Sequence, residues 1–420
     1  MIKIPFKKAN ILLPKKTNME KWSVVACDQY TSQPEYWNDV KKIIGDDNST
    51  YNLILPEIYL EDSDVENRIK SINKNMDELL KNDFFEEYKD SLIYIERTQK
   101  DGLIREGVIG MIDLEDYSYE KGSTSLVRAT EKTVIERIPP RVKVRENASL
   151  ELPHIMILID DDKKDIIESL KEKICNEDKL YDFDLMKDGG HIKGYLLKDK
   201  VSNEVIEKLG LLADKEYFNK KYNIENKEVL LFAMGDGNHS LATAKACYEK
   251  LKKEIGDKAL LNPARYALVE LVNLHSNALE FEAIHRVLFN VDTKDLLKKL
   301  YEYYDIKEEK CDGQKITYVT HDEEKDIYIT NPKSNLTVGS LQIFLDEYLD
   351  KNDGKIDYVH GSDVVKKLSK EKNNIGFILP VMKKDELFKT VILDGALPRK
   401  TFSMGHSNDK RYYLEARRIK

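Results

Sequence analysis

The stretch Met234–Ala244, reading MGDGNHSLATA, constrains the fold of this chain more than any other. The apolar run Val229-Leu230-Leu231-Phe232-Ala233 predicts a strand, Gly235-Asp236-Gly237-Asn238 a tight loop, and Ser240 to about Ile255 an amphipathic helix. A strand that breaks at two glycines and restarts as a helix directs backbone N–H groups and the positive helix end at one point. Such a point suits an anion, most often a phosphate. Asp236 is of the type that holds a magnesium ion or a substrate hydroxyl, and His239 of the type that reaches a phosphate oxygen or carries a proton. The same residues also read as an ordinary DG turn followed by a capped helix. The loop alone therefore leaves a site and a structural corner both open.

At 420 residues the chain is long enough for two or three domains with their own cores. Its 76 acidic and 68 basic residues give a formal charge of -8, which argues against general nucleic-acid binding. Cys27, Cys175, Cys247 and Cys311 are far apart and form no CxxC pair, as expected of reduced thiols in a cytoplasmic protein. The start, MIKIPFKKANILLP, is broken by Pro5 and by Lys7-Lys8, so no signal peptide is expected. No apolar run approaches the roughly 18 residues that cross a bilayer, so no membrane span is expected.

Short strand-like runs are predicted at Ser23–Ala26, Leu92–Glu96, Val108–Leu114, Ile155–Ile159, Tyr195–Leu197 and Val229–Ala233. Apolar residues at three-to-four spacing predict helices over Asp64–Lys81 and Lys163–Ile174. Further along come a strand over Tyr266–Leu274, a helix over Lys294–Tyr304, paired strands at Lys315–Thr320 and Asp326–Thr330, and a helix over Val338–Tyr348. A strand at Asn374–Pro380, a helix near Lys384–Lys389 and a basic tail complete the pattern. Strands and helices mixed in scattered order fit an α+β fold better than a doubly wound sheet. Boundaries near residues 120 and 290 divide the chain into an N-terminal α/β region (1-120), a middle core (121-290) and a C-terminal α/β region with the basic tail (291-420).

Better-known phosphate motifs do not account for the loop. Gly235-x-Gly237-x-x-Ser240 nearly copies the dinucleotide fingerprint, but its third glycine is replaced and Asp236 puts a charge in the turn. A Walker loop is absent. Metallophosphatases separate their GD and GNH blocks and need an upstream DxH, whereas here the two blocks are fused and DxH is missing.

Three other segments carry candidate chemistry. Arg128-Ala129-Thr130-Glu131-Lys132-Thr133, followed by Glu136-Arg137 and Arg141, sets a carboxylate among cations, which suits a general base acting on an alcohol and equally a surface salt-bridge cluster. Ala283-Ile284-His285-Arg286-Val287, downstream of Asn273-Leu274-His275-Ser276, places charge between apolar residues, where it needs an anion or a carboxylate partner. Leu397-Pro398-Arg399-Lys400-Thr401-Phe402 is a basic segment able to close over phosphates or to leave a strand as solvated loop.

These four segments, in this order, resemble the bacterial and archaeal domain-of-unknown-function 1015 family. Its G-x-I-R-x-H-E-x-T segment, DGHHR-x-x-T-A loop, HR segment and late P-[KR]-[KST]-[ST] segment correspond to Gly122–Thr133, Asp236–Ala244, Ile284–Leu288 and Pro398–Thr401. The DGHHR-type loop, here DGNHS, is in turn similar to that of free-serine kinases of the ParB/sulfiredoxin-like superfamily. The resemblance implies an α+β, ParB/sulfiredoxin-like core with additional mixed α/β segments. It implies catalytic roles for Glu131 as base, Asp236 as loop acid and metal ligand, and His239 as phosphate contact. Gly235, Gly237, Asn238, His239 and Ser240 would cradle a nucleotide. ATP or ADP with Mg²⁺ would be the cofactor, and a small hydroxylated metabolite, with L-serine as first candidate, the acceptor; a non-catalytic nucleotide-binding switch is the alternative. The chain departs from the pattern at Thr130, where the family has His, at Asn238, which replaces the first loop His, and at Ser240, which replaces the loop Arg. Loss of that bidentate phosphate contact makes Arg286, Arg399 and Lys400 the expected substitutes.

Overall fold

The computed structural model describes residues 3–131 and 138–420. Lys132, Thr133, Glu136 and Arg137 of the second candidate segment lie outside the described residues. The mixed helices and strands expected of the chain are arranged in two compact units. The first comprises the described residues of 1–129, 133–279 and 405–420, and the second those of 130–132 and 280–404. The units are discontinuous in sequence, unlike the three consecutive regions drawn above. The end of the chain returns to the unit in which it began.

The first unit is built on a mixed sheet in the order Lys179–Asp184, His191–Leu196, Ile93–Thr98, Ile104–Asp113, Tyr266–Asn273, Met156–Ile159, Phe232–Asp236, Val127–Arg128, Tyr117–Ser118, with Phe6–Lys7 joining Ile104–Asp113. Tyr266–Asn273 (YALVELVN) is central and buried almost throughout, as its near-continuous apolar run requires. Within that run stands a charged residue, Glu270, which has no exposed surface. Arg105 Nε donates to its Oε1 at 3.0 Å and Arg411 Nη1 to its Oε2 at 2.7 Å. A side chain at Gly107 would stand 3.0 Å from this carboxylate, so the glycine makes its room. Burial works to raise the Glu270 pKa, but Arg105 and Arg411 outweigh it and hold the carboxyl below the ordinary range.

The segment Gly405–Lys420 threads the same core. Trp22 Nε1 donates to Leu414 O at 2.9 Å, Tyr413 N–H to Val24 O at 2.8 Å, and Arg97 to the carbonyls of Asn408 (2.7 Å) and Lys410 (3.1 Å). Arg417 Nε pairs with buried Glu151 at 2.6 Å.

The second unit has its own antiparallel sheet, ordered Ile306–Lys307, Glu324–Ile329, Gln314–Val319, Ile375–Ile378, Phe281–Phe289, Lys355–His360, with Phe402–Met404 also pairing Phe281–Phe289. The helices Thr293–Tyr303, Thr337–Leu349 and Lys384–Asp394 fall where apolar spacing predicts them.

Three expectations are corrected. Ser23–Ala26 is not a strand: Val25 makes an isolated bridge to Tyr412, because the partner backbone comes from the chain's last segment. Lys163–Ile174 forms turns and a short 3₁₀ helix, Glu168–Glu172, where the Asp161 carboxylate takes the Ile166 N–H and Glu168 takes Asn273. Such local side-chain bonds compete with the helical ladder. The strand expected at Val229–Ala233 runs instead over Phe232–Asp236.

Replacing Glu270 by Ala leaves the buried Arg105 guanidinium without its anion and Arg411 with Glu415 alone, and is expected to cost about 3–5 kcal/mol in urea unfolding. Because the folded carboxyl titrates low, its contribution is present above the ordinary glutamate pKa and lost as pH falls through the folded value. Glu270→Gln therefore shows a flatter fall in unfolding free energy over the acid range than the parent.

Candidate functional site

Phe232–Asp236 lies between Met156–Ile159, to which it is antiparallel, and Val127–Arg128, to which it is parallel. Its register with Met156–Ile159 slips between Met234 and Asp236, a bulge at Gly235 that bends the strand end. Gly237 follows at φ +78 and precedes the helix Asn238–Ile255. This is the left-handed region, and a Cβ here would stand 3.0 Å from Ile155 Cα, so glycine answers both the backbone angle and the lack of space. The strand, turn and helix thus converge in the order the sequence predicts. The strand reaches two residues into the expected loop, and the helix starts at Asn238 rather than Ser240.

The loop side chains meet partners from distant segments of the first unit. Asp236 Oδ1 accepts the Gly237 N–H at 3.0 Å, and Oδ2 pairs with Lys410 Nζ at 3.1 Å. Ser240 Oγ lies 3.1 Å from His154 Nε2. His154 is buried, its Nδ1 2.7 Å from the Tyr413 hydroxyl and its Nε2 3.7 Å from Asp28 Oδ2. Burial works against ionisation of Asp28, but the His154 charge, the Gln29 hydrogen bond and the Lys410 charge outweigh it and lower the pKa. Beside these groups is a cavity of about 140 Å³ that Ser240, Thr243, His154, Tyr413 and Cys27 help to line.

The second unit gathers the other expected residues. Glu131 bridges Leu397 in parallel, and Leu397 N–H donates to Thr130 O at 2.6 Å. Lys400 adopts φ +56, and the Lys400 and Thr401 N–H groups both donate to the Glu131 carboxylate, a small nest for an anion. Burial raises the Glu131 pKa above its ordinary value, against the opposing charges of Lys400 and Arg286.

Arg286 is wholly buried in the strand Phe281–Phe289. Its Nε donates to Gln342 Oε1 and its Nη2 to Arg399 O, each at 3.1 Å, and Nη1 donates to Ile284 O. Its guanidinium lies 5.1 Å from the Tyr358 ring centroid, and that of Arg399 lies 5.4 Å from it. Burial lowers the Arg286 pKa to about 10. Neighbouring His285 accepts the Leu379 N–H through Nδ1 at 3.2 Å, and burial lowers its pKa.

The structure therefore brings Gly235, Asp236, Gly237, Asn238, His239 and Ser240 together in one unit, and Glu131, Arg286, Arg399 and Lys400 together in the other. His154, Asp28, Lys410 and Tyr413 were not anticipated. One signal for His154 was available: it follows Pro153 directly before the apolar strand run. Lys410 offered none beyond belonging to a basic tail. Among the described residues no group of three or more His, Cys, Asp or Glu side chains could hold a metal ion. The four cysteines are unpaired. No helix among the described residues is long and apolar enough to cross a membrane.

Residues 4–350 match the family described as "Protein of unknown function (DUF1015)". The chain belongs to the DUF1015 family. No curated protein matches it. Among solved structures, this DUF1015 chain is similar to a free serine kinase in complex with AMP, at 11% identity and a TM-score of 0.38 over 72% of this chain and 90% of that one. It is also similar to a conserved hypothetical protein from Pyrococcus furiosus (11%, TM-score 0.34, 72% and 90%) and to SbnI with a C-terminal truncation from Staphylococcus aureus (10%, TM-score 0.36, 71% and 82%).

In this DUF1015 chain Gly237→Ala is expected to lose about 1–3 kcal/mol, from the left-handed backbone and the close Ile155 together, read as a lower midpoint in thermal or urea unfolding. The raised Glu131 pKa favours the neutral carboxyl in the fold, so its stability contribution is present below the ordinary value and lost as pH rises through the raised one. Glu131→Gln should therefore gain stability relative to the parent as pH rises above the ordinary glutamate value. A difference that stays constant over that rise would refute it.

Proposed function

We propose that this DUF1015 chain binds ATP or ADP with Mg²⁺ at the Gly235–Ser240 loop and transfers a phosphoryl group to a small hydroxylated metabolite, L-serine being the first candidate. In this reading the protein acts in the cytoplasm on a ParB/sulfiredoxin-like core. The observation that carries the proposal is the junction at Gly237, where a bulged strand end turns through a left-handed glycine into a long helix beside the Asp236–Lys410 pair. N–H groups at the start of such a helix, with a lysine alongside, suit the charge of a polyphosphate. The motif resemblance supplies the reaction class.

Gly235, Gly237, Asn238 and the Ser240 N–H cradle the phosphates, and His239 contacts a phosphate oxygen. Lys410 stands in for the missing loop arginine. Arg286, whose donors are taken by protein groups, holds the Arg399 carbonyl and with it the nest around Glu131. The site fits Mg²⁺ in one respect: Asp236 offers a single carboxylate, and Mg²⁺ commonly takes one or two carboxylates and completes its shell with phosphates and water. The ion supplies neutralisation of phosphate charge when bound. Glu131 accepts the proton of the acceptor hydroxyl, and its raised pKa makes it the stronger base.

Departures Asn238 and Ser240, with the Ser240 hydroxyl committed to His154, favour a non-catalytic nucleotide switch as the second reading. Thermal shift with ATP and ADP, with and without Mg²⁺, tests binding, and mass spectrometry of acceptor mixtures tests transfer. Lys410→Ala is expected to weaken nucleotide binding about tenfold, or about 1.4 kcal/mol, while Glu131→Gln keeps binding and loses transfer by about a hundredfold or more. Binding without phosphorylated product selects the switch; no nucleotide-dependent shift removes both readings.

A further inference from the structure

Ser240 and Thr243, one helical turn apart, face the cavity of the first unit, and Asn238 and His239 are not among the residues that line it. The cavity wall is largely apolar, with Leu53, Leu55, Leu60, Met76, Val144 and Leu150 among its residues, and its charged members are joined in the pairs Arg141–Glu57 and Arg145–Glu151. Its volume of about 140 Å³ is close to that of an engineered apolar cavity that takes up benzene.

The polar end of the cavity holds a serine, a histidine and a tyrosine in series. Tyr413's hydroxyl accepts the Cys27 N–H at 3.2 Å. The same hydroxyl lies 2.7 Å from His154 Nδ1 and is able to accept its proton. In the tautomer with the proton on Nδ1, the Nε2 lone pair faces Ser240 Oγ at 3.1 Å. Asp28, 3.7 Å from Nε2, is placed to stabilise the imidazolium once that nitrogen takes a proton. Ser240 sits in the first turn of the helix, whose ladder begins with Leu241 N–H to Gly237 O. Its own N–H lies ahead of the ladder, where developing negative charge on a carbonyl oxygen is stabilised.

We infer that Ser240 and His154 form a nucleophile–base dyad, oriented by Tyr413, that hydrolyses small esters whose short apolar acyl chain occupies the adjoining cavity. As Ser240 Oγ bonds to the ester carbonyl carbon, its proton passes to His154 Nε2. Collapse breaks the carbon–oxygen bond to the leaving alcohol, which takes that proton. Water then attacks the acyl-serine, releasing the carboxylic acid and restoring the hydroxyl. No nucleotide or metal takes part; the Ser240 N–H is shared with the phosphate cradle proposed above, and an ester assay run without nucleotide keeps the failure of one reading distinct from failure of the other.

The test uses the full chain with p-nitrophenyl butyrate as substrate and a fluorophosphonate as serine-directed probe, its adduct mapped by mass spectrometry. The parent is expected to carry the adduct on Ser240 and to release p-nitrophenol above the buffer rate. Ser240→Ala is expected to abolish the adduct and reduce turnover by about a hundredfold or more. His154→Gln should do the same, and Tyr413→Phe, which keeps the ring and loses the hydroxyl, should reduce turnover about tenfold in a chain that still folds. The adduct mapping needs no variant, so a misfolded substitution does not rescue the idea. Absence of an adduct on Ser240, or turnover by a folded Ser240→Ala chain equal to the parent's, overturns it.

Discussion

A carboxylate with no exposed surface in the middle of the central strand sets the terms for the first unit. Glu270 cannot stay ionised there without its cations, and the arginines that meet it come from an adjacent strand, at Arg105, and from the last segment of the chain, at Arg411. Arg411 also binds Glu415, and Glu415 binds the Tyr181 hydroxyl, so one buried charge organises a relay across the sheet. Breaking such a cluster is costly chiefly because it strands a charge. It therefore fixes which segments must lie together more firmly than it adds net stability.

That constraint places the residues around the loop. Lys410 reaches Asp236, and Tyr413 reaches His154, because Arg411 between them is held at Glu270. The Asp236–Lys410 pair, the His154 relay and the apolar cavity thus depend on a segment that contributes little regular secondary structure. The second unit solves a related problem differently: Glu131 is held by backbone N–H groups of a turn whose neighbouring carbonyl is secured by buried Arg286.

How much of this is legible in the sequence follows from how local each signal is. The helices Val65–Lys81, Thr293–Tyr303 and Thr337–Leu349 and the hairpin Gln314–Ile329 are written in periodicity that needs no knowledge of partners. The strand–glycine–helix junction was legible for the same reason, though the bulge at Gly235 let the strand run into the expected loop. The strands Lys179–Asp184 and Lys355–His360 were missed because charged residues interrupt their apolar pattern. His154, Asp28, Lys410 and Tyr413 lie far apart in sequence, and no local pattern says that they converge. The buried role of Arg286 was half legible, since a charge between apolar residues demanded partners, but those partners are a glutamine and carbonyls rather than an anion.

The return of Gly405–Lys420 to the first unit has a consequence for biosynthesis. A ribosome delivers Arg411 only after the whole of 280–404 has emerged, so the nascent first unit waits with the Glu270 site half neutralised while the intervening unit, whose contacts are nearer in sequence, has what it needs to close. Closing the long loop is itself inexpensive, since each doubling of loop length adds only about 0.6 kcal/mol. The delay is one of order of arrival, and it exposes the unfinished core to aggregation and to chaperones until the final stretch of chain is made.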